Sequence, residues 1–157
     1  MQIRLSPSRN LHIQTSSDIF HLLQPAFLRQ SKLNRDREHL WLMCLDHSQT
    51  VRTLELLGLG TQQTVLIDAM EVFHRALIRR AASIVVAHNH PAGSLKPSRS
   101  DITATEKLVD ASHFLNVKLL DHLIISETDF YSFKDGGEFE KMNTRKFILF
   151  NSVLAME

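Results

Sequence analysis

Apolar and polar positions along the chain alternate between a helical and an extended period. "SSDIFHLLQPAFLRQ" begins with Ser16 and Ser17 as candidate N-caps and places Ile19, Phe20, Leu23 and Phe27 near one helical face, with Pro25 expected to kink or split the helix. "HLWLMCLD" and "VRTLELLGLG", separated by the polar "HSQT", predict the two strands of an antiparallel hairpin, the second ended by Gly58 and Gly60. In "DAMEVFHRALIRRAA", Asp68 and Glu71 form a capping-box-like pair ahead of Val72, Phe73, Ala76 and Leu77, so a helix should pack there on the sheet.

The run "SIVVA" is short, apolar and rich in β-branched residues, as a central strand requires, and it delivers His88 and His90 at its C-terminal end. "SRSDITATEKLVDASHFLN" predicts a helix capped by Ser98, with Ile102, Val109 and Leu115 among its inward positions. "VKLLDHLIIS" and "DFYSF" follow as strands and "KDGGE" as a turn, while "RKFILFNSVLAM" fits either a last strand or a helix. Strands flanked by helices, with a hairpin in front, predict an α/β (α+β) sandwich built on a mixed β-sheet.

Composition narrows the class. A chain of 157 residues fits one domain, and 43% hydrophobic residues suffice for a core without disulfides. Lys and Arg total 18 against 17 Asp and Glu, so net charge provides no field that would attract nucleic acid. The single cysteine, Cys44, sits in an apolar run; it excludes a disulfide framework within one chain, reads as core, and suggests a reducing cytoplasm. The start "MQIRLSPSRNLHIQ" has no apolar signal region and no segment is long enough to span a bilayer, so the expectation is a cytoplasmic protein with no membrane partner.

Candidate chemistry gathers in "VVAHNHPAGSLKPSRSD", residues 85–101. On extended backbone His88 and His90 project to the same side while Asn89 points away. The stretch "PAGSLKP" supplies a firm turn back toward Asp101 at the start of the next helix. Two imidazoles and a carboxylate suit one Zn²⁺ ion and leave a fourth position for water, the arrangement of a catalytic zinc. Taken singly, Asp101 is better explained as the closing residue of a capping box begun by Ser98, and it is the combination with the two histidines that favours a ligand.

The series His88-x-His90-Pro91, then Pro97-Ser98-x-x-Asp101, resembles the JAMM (MPN+) metalloprotease signature, and "AHNHPAG" followed by "PSRSD" resembles its bacterial RadC-like branch. The likeness extends over about residues 15 to 135, including "LLDHLIIS" and "YSF". It implies a cytidine-deaminase-like, JAB/MPN type of fold and a zinc metallopeptidase with one Zn²⁺ per chain on His88, His90 and Asp101. It also implies a glutamate just before the first hairpin strand, which "REHLWLMCLD" supplies as Glu38, to take the proton of the attacking water and pass it to the leaving amine. Glu55 in "TLELL" competes by residue type but lies mid-strand. Ser98 would both cap its helix and steady the oxyanion of a tetrahedral intermediate. The substrate implied is a peptide or protein, cleaved at an amide or isopeptide bond.

The chain departs from the branch in two places. No helix-hairpin-helix segment precedes residue 15, so residues 1–157 read as a single domain, and "IDAMEVF" stands where the branch carries a His-Pro-Arg-Glu-like run. Asp121 and His122, adjacent on a strand, point to opposite faces and read as structural. Arg75, Arg79 and Arg80 read as a solvated helix face, and Gly58-x-Gly60 as a turn. Two rivals to the hydrolase remain at this level: a metal-dependent nuclease or DNA-repair-associated protein, which the charge balance does not support, and a non-catalytic interaction scaffold, which the intact ligand set opposes.

Overall fold

The computed structural model describes residues 2–3, 11–60 and 67–143 of the chain. Its elements run β1 (Gln2–Ile3), α1 (Ser16–Leu28), α2 (Lys32–Arg35), β2 (His39–Leu45), β3 (Val51–Leu59), α3 (Ala69–Ile78), β4 (Ser83–Asn89), α4 (Arg99–Leu115), β5 (Lys118–Ile125) and β6 (Phe130–Ser132). The strands form one six-stranded sheet in the order β1-β3-β2-β4-β5-β6. β2 is antiparallel to both β3 and β4, whereas β4 and β5 are parallel, joined across the sheet by α4. The sheet is therefore mixed, as expected.

Both faces of the central strands are covered, which explains why β2 and β4 read as continuous apolar runs. On one face Trp41, Met43, Leu45, Val85 and Ala87 pack against Ile19, Phe20, Leu23 and Phe27 of α1. On the other, Leu40, Leu42, Ile84 and Val86 meet Val72, Phe73 and Ala76 of α3 and Leu108 and Val109 of α4. Cys44 is buried on this second side, where burial pushes its thiol up, consistent with a core role. Among the described residues no helix is long and apolar enough to cross a membrane.

Several local expectations are corrected. Helix α1 runs unbroken through Pro25, and its cap is Thr15, closed into a capping box by Asp18, in place of Ser16 or Ser17. Pro25 deletes only one intrahelical hydrogen bond near the C-terminal end, and the buried Ala26 and Phe27 anchor the turn beyond it. Gly58 does not end its strand: it pairs with Leu40 inside β3, next to a register shift between Leu40 and Trp41. Leu77 is 49% exposed, because Val72, Phe73 and Ala76 already define the buried stripe of α3. Asp68 caps that helix, while Glu71 pairs with Arg75. The segment "RKFILFNSVLAM" lies outside the described residues.

Candidate metal centre

Strand β4 alternates between the two cores, Ile84 and Val86 facing α3 and α4, Val85 and Ala87 facing α1. His88 continues the first series and Asn89 the second. His90, just past the strand, returns to the side of His88, with 3.0 Å between the two Nε2 atoms. The chain then turns: the Gly93 N–H donates to the His90 carbonyl at 2.8 Å, with Gly93 at φ +71°, a conformation that favours glycine. This turn brings the Ser94 carbonyl to 2.8 Å from His90 Nδ1. A carbonyl oxygen only accepts, so Nδ1 carries a proton, and in the neutral ring Nε2 keeps a lone pair.

Asp101 closes the capping box of α4 and faces both histidines at once. Ser98 is the N-cap of α4, its hydroxyl oxygen accepting the Asp101 N–H at 3.1 Å, and Asp101 Oδ2 accepts the Ser98 N–H at 2.7 Å. The same carboxylate faces the histidines, Oδ1 lying 3.2 Å from His88 Nε2 and Oδ2 3.3 Å from His90 Nε2. Burial alone would raise this carboxyl, but hydrogen bonds with His88, His90 and Ser98 outweigh it and hold Asp101 well below the usual carboxylate range. The hydrogen bond to Asp101 correspondingly raises His90 against the opposing effect of burial, and the charge of Glu38 adds to the rise.

These residues fit a tetrahedral cation. Zinc bonds of roughly 2.0 to 2.1 Å place neighbouring ligand atoms roughly 3.3 to 3.4 Å apart. The two Nε2 atoms are 3.0 Å apart, and the Asp101 carboxylate approaches them through different oxygens, Oδ1 at 3.2 Å from His88 and Oδ2 at 3.3 Å from His90. A carboxylate and a histidine lone pair converge with a second imidazole nitrogen on one point, which calls for positive charge there. His88, His90 and Asp101 are the only group of this kind among the described residues.

Glu38 lies immediately before β2 and is 8% exposed. Leu40 pairs with His88, so extending that register by two residues sets Glu38 across from His90, and shared parity with Leu40 directs it to the same face. Its backbone is held from both sides. The Gly60 N–H donates to the Glu38 carbonyl at 2.8 Å. Asn89 Oδ1 accepts the His39 N–H at 2.8 Å, and Asn89 Nδ2 donates to the Arg37 carbonyl at 3.1 Å. Glu55 is instead engaged by Arg79 at 2.7 Å, which also ties one arginine of the supposed solvated face into the fold.

Two buried neighbours of the cluster were not tied to it in the sequence, where Thr105 went unremarked and His122 reads as structural. His122 Nε2 lies 2.9 Å from His88 Nδ1, and His122 Nδ1 lies 2.6 Å from Thr105 Oγ1. Burial pushes the His122 imidazole well below the ordinary histidine value. Asp121 turns to different partners, Ser132 Oγ at 2.6 Å and the Lys134 N–H at 3.1 Å, so the pair does not ligate jointly. Thr105 was detectable in principle, since it follows Asp101 by one helical turn. His122 was not, because its approach to His88 depends on the parallel pairing of Val86 with His122.

Curated relatives match most of the length of this chain. A UPF0758 protein of Chlorobium chlorochromatii is 37% identical over 136 residues, covering 85% of this chain and 59% of the relative. Another, from Methanococcoides burtonii, is 36% identical over 125 residues, 80% of this chain and 52% of its own length. A third, from Flavobacterium johnsoniae, is 37% identical over 127 residues, or 81% and 53% of the two chains. The chain thus spans a little over half the length of these curated relatives. The model of the RadC-like JAB domain matches residues 13–138, a span that contains the whole His88, His90 and Asp101 cluster together with Glu38. The sheet order, the cluster and these matches together show that the chain belongs to the RadC-like JAB domain family.

Proposed function

We propose that the chain is a zinc-dependent hydrolase of JAMM type, cleaving an amide or isopeptide bond in a peptide or protein. The observation that carries this reading is the convergence of His88, His90 and Asp101, with contacts of 3.0 to 3.3 Å among them, beside the buried Glu38 two residues before Leu40, the strand partner of His88. When bound there, zinc supplies Lewis acidity and makes water acidic enough to be deprotonated near neutral pH. His88 and His90 offer Nε2 and Asp101 a carboxylate oxygen as ligands. Glu38 accepts the proton of the attacking water and returns it to the leaving amine, and the backbone bonds on either side fix where that carboxylate sits. Ser98, whose hydroxyl donates to Asp101 Oδ2 at 2.6 Å, must release that bond before its O–H can donate to the developing oxyanion.

The test is a screen of zinc-loaded protein against peptide and isopeptide-linked substrates, with Glu38→Gln in parallel. Zinc-dependent cleavage lost in the variant supports the assignment. Cleavage undiminished in Glu38→Gln overturns the role of Glu38, and absence of any amide cleavage alongside phosphodiester cleavage transfers the site to a nuclease.

A further inference from the structure

A chain of hydrogen bonds runs behind the ligand cluster. Thr105 Oγ1 lies 2.6 Å from the backbone carbonyl oxygen of Asp101, which can only accept, so the single hydroxyl proton is committed there. Oγ1 is left to accept at 2.6 Å from His122 Nδ1, which therefore carries the ring proton of His122. The neutral ring then presents Nε2 as an acceptor, 2.9 Å from His88 Nδ1. His88 must in turn carry its proton on Nδ1 and aim the Nε2 lone pair at His90 and Asp101. His88 is 1% exposed and Thr105 and His122 are 0% exposed, so solvent cannot supply substitute partners.

We propose that Thr105 and His122 are positioning residues that fix the tautomer of His88, so that its Nε2 is available as a metal ligand. This rests on the metal-centre reading and deepens it. The relay begins at the backbone carbonyl of one ligand residue, Asp101, and ends on the ring of another, His88, so the first two turns of α4 set both. Without the Thr105 hydroxyl, His122 is free to carry its proton on Nε2. That proton would face His88 Nδ1 and drive the proton of His88 to Nε2, into the ligand cluster.

Thr105→Val and Thr105→Ser separate this from simple packing, since valine preserves the volume and serine preserves the hydroxyl. Nitrogen-15 imidazole spectra of the metal-free chain, recorded above the histidine titration range, read the tautomer directly. Zinc affinity is measured by competition with a chelating dye. His88 should be the Nδ1–H tautomer in the wild-type chain and in Thr105→Ser and lose that preference in Thr105→Val, whose affinity should fall on the order of 10- to 100-fold. An Nε2–H tautomer in the wild-type chain overturns the relay without need of any variant. Equal zinc affinity and unchanged spectra in Thr105→Val overturn this inference alone. A wild-type chain that takes up no zinc overturns the functional reading beneath it.

Discussion

The two carboxylate oxygens of Asp101 divide their work: Oδ2 closes the capping box of α4, while Oδ1 is turned to His88. The capping box and the ligand set thus fix each other, and the spacing from Ser98 to Asp101 that looked ambiguous in the sequence satisfies both requirements. Asn89, between the two histidines, uses the opposite face of the sheet to hold the backbone around Glu38. Its role was hidden in the sequence because no spacing rule says where an outward-pointing amide on a strand will find partners. Replacing Asn89 by Ala strands the buried His39 N–H and should cost about 1 to 3 kcal/mol in chemical denaturation, with zinc binding retained. Glu38→Gln should leave zinc content unchanged and lower hydrolysis by about 10²- to 10⁴-fold, measured on the first substrate found.

The parallel pair β4 and β5 carries the site, and the crossover helix α4 returns Asp101 and Thr105 to it. Element types were largely legible because the periodicities of α3, α4 and the central strands are strong. Pro25 misled because a break was inferred from one residue, whereas tertiary packing of Ala26 and Phe27 decides the helix end. Strand pairing was not legible, and with it went the approach of His122 to His88.

Asp121 on β5 offers a pH test away from the ligands. Burial raises its carboxyl to about 6, against hydrogen bonds from Ser132 and the backbone of Lys134 and His122. An acid raised on folding binds more protons folded than unfolded between its unfolded value of about 4 and its folded value. Its contribution to stability is therefore full below about 4 and lost as pH rises through about 6. Asp121→Asn, which keeps an acceptor for the backbone N–H groups, should flatten that part of the stability profile in denaturant titrations. An unchanged slope would assign the pH dependence elsewhere.

A sheet buried on both faces gives the site a rigid base, and α1, α3 and α4 clamp it without contributing more than Asp101 to the ligand set. Zinc binding to the folded chain alone should raise its stability by about 2.7 kcal/mol at a hundredfold excess over the dissociation constant. For a chain of this size that corresponds to a rise of about 5 to 10 °C in Tm, reversed by a chelator. The fold class and the grouping of His88, His90 and Asp101 were legible because they reside in local patterns; the hydrogen-bonded residues behind them come from distant segments brought together only by the sheet.

Metal content per chain, determined by elemental analysis of protein purified without added metal, tests the central claim most directly when His88→Ala and Asp101→Ala are measured alongside. The expected result is about one zinc per wild-type chain and its loss in both variants. Wild-type protein that holds no metal even after zinc is supplied, while remaining folded, would contradict the metal centre and leave residues 85–101 as a capped loop.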